Sequence, residues 1–167
     1  SQPFWKILGR HGIFSSILRV PISYPPEKFS GNILAAMCTP DLKGTQGSFS
    51  AFSSCADHCH DKATGGDFRL LTRSGAEVTG EIEGPHHPFR KDAPPLKIPF
   101  KLTLKPDATG ALLEIGAERE ELKLNQFSRW IEVKFACGWL RSVSGICRFC
   151  LRSIDPEVFL YVSPLNI

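Results

Sequence analysis

The sequence predicts an α/β segment followed by a β-rich, sandwich-like domain, and three observations lead there. Phe4, Trp5, Ile7 and Leu8 recur at helical spacing, then come Gly9, Gly12 and a β-branched and aromatic run over 13–20. That order is the pattern of a helix, a glycine turn and a buried strand. From about Thr64 onward, short runs alternate polar with apolar residues and are parted by turn dipeptides, as in sheets that bury one face. The composition, 42% hydrophobic and 22% charged over 167 residues, is that of a folded chain.

Taken in order, Pro21, Pro25 and Pro26 break the chain into an irregular loop after the first strand, and 32–38 reads as a second short strand. Residues 39–50 return to a loop rich in Gly, Ser and Thr. Strands are then expected over 67–73, 77–83, 97–105, 111–116, 118–124, 129–137, 140–153 and 158–162. Ser74-Gly75, Gly84-Pro85 and Thr109-Gly110 suit the turns between them. Leu102, Leu104, Leu112, Ile115, Ile131, Val133 and Phe135 are expected to line one side of these strands. The segment 85–95, PHHPFRKDAPP, is too proline-rich for a central strand and reads as an exposed loop that carries His86 and His87.

Charge narrows the function classes. The net charge is +3, and Arg69, Arg73, Arg90, Lys91, Lys97, Lys101 and Lys105 alternate with acids, which is no nucleic-acid-binding stripe. No apolar run is long enough to span a bilayer as a helix, and the first residues lack a signal-peptide pattern. The six cysteines leave the compartment open.

Three constellations carry chemistry. The Gly-rich loop Gly44-Thr45-Gln46-Gly47-Ser48-Phe49 offers backbone N–H groups to a phosphate, with Arg19 or Arg10 as counter-charge; tight turning is its structural alternative. His11 is placed at the helix's C-terminal end. Cys55, Asp57, His58, Cys59 and His60 cluster in sequence, and Cys147 and Cys150 form a C-x-x-C pair. Cys55, Cys59, Cys147 and Cys150, or thiolates with His58 or His60, would suit tetrahedral zinc if the segments met. Against this, strand alternation turns Cys147 and Cys150 to opposite faces, and Cys137, Cys147 and Cys150 fit buried thiols. Trp130 and Trp139 are expected to pack in the core or at its rim.

The helix Phe4-Trp5-Lys6-Ile7-Leu8 with Gly9 to Gly12, the segments Arg19-Val20-Pro21 and Tyr24-Pro25-Pro26-Glu27, and Pro40-Asp41 with Gly44-Thr45-Gln46-Gly47-Ser48-Phe49 carry a family likeness. So do Gly145-Ile146-Cys147-Arg148-Phe149 and the segment from Tyr161 to Ile167. Together they resemble the alkaline-phosphatase superfamily, in the phosphohydrolase and phosphomutase branch related to type I phosphodiesterases and nucleotide pyrophosphatases. The resemblance implies a Ser or Thr nucleophile, two divalent metals (zinc or manganese) held by Asp and His, and a phosphate-ester substrate. None of those nucleophile or ligand motifs matches a position here, so no catalytic or metal residue is carried over. The chain also begins without Met and stops after a strand-like run, so it reads as an internal portion of such a hydrolase.

On this reading 1–62 is a partial alkaline-phosphatase-like α/β core, 63–162 an inserted β-rich cap, and 163–167 the return to the core. The chain would supply scaffold and cap, with Arg19, Thr45, Gln46, Gly47 and Ser48 as candidate substrate contacts. Two alternatives stand beside it: a non-catalytic β-sandwich binding module, and a small structural zinc protein.

Overall fold

A computed structural model describes residues 2–21, 23–35, 39–56, 65–90 and 92–167. The chain divides into two compact units, Ser1–Pro40 and Asp41–Ile167.

In the first unit, helix α1 (Phe4–Arg10) buries Trp5. It ends as the sequence dictates. Gly12 takes the left-handed conformation at φ 72°, its N–H donates to the Gly9 carbonyl, and the Ile13 N–H donates to that of Leu8. These two bonds satisfy carbonyls that the last turn leaves open. Strands β1 (Ser15–Leu18) and β2 (Gly31–Leu34) then pair in parallel.

Among the described residues the elements of the second unit are all strands. β3 (Ser50–Ser53) lies between β13 (Phe159–Val162), antiparallel, and β4 (Asp67–Leu70), parallel; β12 (Phe149–Ser153) completes this four-stranded sheet beyond β13. Leu71 then passes the chain into a five-stranded antiparallel meander. Its strands are β5 (Thr72–Ser74), β6 (Glu77–Glu83), β7 (Lys97–Leu104), β8 (Gly110–Ile115) and β9 (Glu118–Lys123). β10 (Ile131–Gly138) and β11 (Arg141–Cys147) form a separate hairpin.

Alternation decides what each strand buries. Val78 and Ile82, Ile98 to Leu104 at every second position, and Ala111, Leu113 and Ile115 point inward. They meet Ile131, Val133, Phe135, Phe149, Leu151 and Leu160 in one core that also takes in Phe52. Each such large side chain contributes roughly 1.5–3 kcal/mol by leaving water. Gly80 admits a ring: a Cβ there would lie 2.6 Å from Phe100 Cζ. The outward face carries a ladder of charge, in which Lys101 pairs with Glu77 and Glu114, and Glu114 with Arg119.

Several expectations need correction. The chain is not an alkaline-phosphatase-like α/β core. Among the described residues it has one seven-residue helix and is mostly strand in several sheets. The compact units part at Pro40/Asp41, and β3 pairs with β13 and β4 within the second of them. Residues 163–167 stay with the second unit through the Ile146–Asn166 bridge. Leu112 points outward, since an even step from Leu102 in β7 does not survive the turn into β8. The run 140–153 breaks at Arg148 into two strands of different sheets.

Candidate functional site

The Gly-rich loop is built around an internal anion. Asp41 is buried, and its Oδ1 accepts the N–H groups of Lys43 (3.0 Å) and Thr45 (2.8 Å). The Thr45 hydroxyl donates to Oδ2, while Thr45 Oγ1 accepts the Ser48 N–H at 3.1 Å. An aspartate that binds N–H groups two and four residues on makes a local turn without help from a sheet. Gln46 and Gly47 sit exposed at the outer bend, with Gly47 at φ 96°. Lys43 is ion-paired with Asp67 at the start of β4, which ties the loop to the sheet.

The same loop meets the last residues. The Leu42 N–H donates to the Leu165 carbonyl at 2.7 Å, and a Cβ on Gly47 would lie 3.8 Å from Pro164. Gly145 lies beneath: a Cβ there would fall 2.7 Å from Asn166 O and 2.8 Å from Leu42 Cδ2. Residues 41–49, 145–149 and 161–167 therefore converge on one corner of the second unit.

The candidate substrate contacts divide as follows. Thr45 and Ser48 direct their N–H groups into the loop, toward Asp41 and Thr45 respectively. Gln46 and Gly47 face outward. Arg19 belongs to the first unit; it is exposed at φ 55°, and its N–H continues the β1–β2 pairing to Leu34 O at 2.9 Å. Arg10 is exposed and lines a surface cleft of about 330 Å³ with Lys6 and Lys28. His11 caps the C-terminal end of α1.

Of the candidate zinc ligands, Cys59, His58 and His60 lie outside the described residues. Cys147 lies in the core, and burial pushes its thiol up to about 12. Cys150 faces away from that core into a depression of about 260 Å³ walled by Phe127, Phe159 and Tyr161 with Arg152 at its edge. Cys137 is buried near the far end of β10. Among the described residues no group of three or more His, Cys, Asp and Glu side chains is placed to hold a metal ion.

Sequence reasoning missed two features. Ser128 is buried and accepts the Phe149 N–H at 2.9 Å, while its carbonyl accepts Arg148 Nε at 2.8 Å. That fixes the Arg148 guanidinium 5.0 Å over Phe127 and 5.7 Å from the Trp130 ring. Aromatic contacts continue from Phe127 to Tyr161, Phe49 and Phe68. Single residues spread over five segments left no spacing to read. The other is a groove of about 790 Å³ lined by Arg69, Thr72, Thr79, Glu81, Lys101 and Glu114 over Phe52 and Phe100. Its cations are already engaged, Arg69 by Glu83 and Lys101 by Glu77 and Glu114.

No protein-family model, curated protein or solved structure matches this chain. No helix among the described residues is long and apolar enough to cross a membrane.

Proposed function

We propose that the chain serves a metal-dependent phosphoric-ester hydrolase as an inserted β-domain that shapes access to the reaction centre and supplies no nucleophile. The observation that carries this reading is the pairing of Ser50 with Val162 as direct partners in antiparallel β3 and β13. The hydrolase-like segments 40–49 and 163–167 flank those two residues, so everything between them hangs from one point. Domains with neighbouring ends insert into a host fold without distorting it. Zinc or manganese would be held by residues of the host, and the Asp41 loop would orient the β-domain at its root.

The assay is direct. With zinc or manganese, the 167-residue chain should leave bis(4-nitrophenyl) phosphate intact, whereas the proposed host hydrolase should hydrolyse the ester. Turnover by the chain alone would place the reactive group within it and end this reading.

A second reading has its own observation. The aromatic row from Trp130 to Phe68, with the depression between Phe127 and Tyr161, is a surface on which a β-domain binds a planar ligand by stacking. Titration with aromatic ligands while following the ring resonances of Phe127 and Tyr161 distinguishes the two readings. Shifts confined to that row support binding-module function.

A further inference from the structure

The hairpin β10–β11 ends in an exposed apex. Trp139 is 92% exposed and Leu140 is 91% exposed, which also corrects the expectation that Trp139 packs in the core or at its rim. The register slips between Ala136 and Gly138. Gly138 then takes φ 150° and Leu140 takes φ 119°, and the Leu140 N–H donates to the Gly138 carbonyl at 3.1 Å. Positive φ at a leucine is unfavourable, and such strain persists only where the surroundings impose it. Here the hairpin's root imposes it, since Ile131, Val133, Phe135 and Cys147 are locked in the core.

The apex has a collar. The Arg141 guanidinium sits 5.1 Å over the ring of Phe89, itself 64% exposed, and His87 lies 6.2 Å from that ring. The Phe89 N–H donates to His87 Nδ1 at 3.2 Å. Arg90 follows, also exposed, with Asp92 as the acid nearby in the same loop. Two large apolar side chains, Trp139 and Leu140, therefore stand exposed at the apex, next to Arg141 and its partner Phe89.

We propose that this apex docks on an anionic lipid surface, Trp139 and Leu140 entering the headgroup boundary while Arg141 and Arg90 meet lipid phosphates. Area argues for lipid over a protein groove. An aromatic side chain offers about 150–250 Å², and a two-residue convex tip falls short of the roughly 800 Å² per partner of a stable protein interface. A bilayer yields around a small apolar knob. Trp settles at its interface, and cations beside the knob gain from anionic headgroups. The docking is peripheral and needs no spanning element.

The test uses the intact chain with phosphatidylcholine vesicles and with mixed phosphatidylcholine–phosphatidylserine vesicles, read by co-sedimentation and Trp emission. The wild type should pellet with the mixed vesicles, shift its emission to the blue, and bind less in high salt. W139S/L140S, both changes at exposed positions, should keep the wild-type circular dichroism and lower the partition coefficient about ten-fold or more. R141Q should weaken binding to mixed vesicles only. Equal binding by wild type and the double variant overturns the proposal, as does no binding to either vesicle. Should Trp139 of the wild-type chain be shielded from acrylamide without lipid, the apex is a protein contact between copies and the lipid assignment is wrong.

Discussion

Ser50 and Val162 face each other as register partners across β3 and β13, so 111 residues of chain leave and return through adjacent backbone positions. Around that pair, the Asp41 loop and the Leu165 segment are joined by the bond from Leu42 N–H. The core of the β unit is built between these two strands in sequence, yet its root is a single corner.

The root depends on one carboxylate. Asp41→Ala removes the acceptor for the Lys43 and Thr45 N–H groups and the Thr45 hydroxyl, and should lower stability by about 2–3 kcal/mol. Asp41→Asn keeps one carbonyl acceptor and should lose less. Urea unfolding midpoints of the three proteins provide the comparison; coincident midpoints would show that the loop bonds contribute nothing net.

Gly145 is required for the closing contact. Val at this position places Cβ against Asn166 O and Leu42 Cδ2, and the neighbouring segments must separate at about 1–3 kcal/mol. Amide exchange should quicken at Ile146 and Asn166, which donate to each other's carbonyls, and stay slow in β7. Unchanged exchange at both amides contradicts the packing described.

Much of the β unit was legible because half-burial writes itself into sequence as alternation. Residues 77–83 and 118–124 were bounded nearly as found, and the Ser74-Gly75 turn falls between β5 and β6 with Gly75 at φ 62°. β3 was not legible. All four of its residues are buried, so Ser50, Ala51, Phe52 and Ser53 show no alternation and resemble a loop. Helix α1 suggested an α/β core because a helix-turn-strand pattern is local, whereas the number of helices covering a sheet is a property of the whole fold. The Asp41 loop was half legible: its glycines announced a turn, but the internal anion was hidden in the spacing from Asp41 to Thr45.

Burial of Cys147 carries a pH dependence. Its thiol rises from an ordinary 9.0 to about 12 in the fold, so above 9 the unfolded chain releases a proton that the native one retains. Stability should therefore fall as pH rises from about 9 toward 12, and be indifferent to this group below that window. Cys147→Ala should remove this part of the slope in alkaline urea titrations. Iodoacetamide should leave Cys147 unmodified in the native protein at neutral pH; rapid alkylation there would contradict its burial.

The charge ladder should be sensitive to salt. Glu114 is held below the usual carboxylate range first by its hydrogen bond to Lys101, then by that cation's charge and by Arg119. Both groups are partly exposed, so a double-mutant cycle with Lys101→Met and Glu114→Gln should give a small favourable coupling at low salt that vanishes at high salt. A large coupling that survives high salt would mean the pair is shielded from solvent.

Excising the β-domain reaches the functional proposal most directly. In the proposed host hydrolase, residues 51–161 can be replaced by a short Gly-Ser turn, because Ser50 and Val162 already lie side by side. The rates of intact and spliced enzyme, with zinc or manganese, are then compared over phosphate esters of rising size. If the β-domain shapes access, the smallest ester keeps its rate within a few-fold while the preference among large esters changes. Abolition of hydrolysis for every ester in a spliced enzyme that still folds would put the reacting groups inside the β-domain and contradict the account.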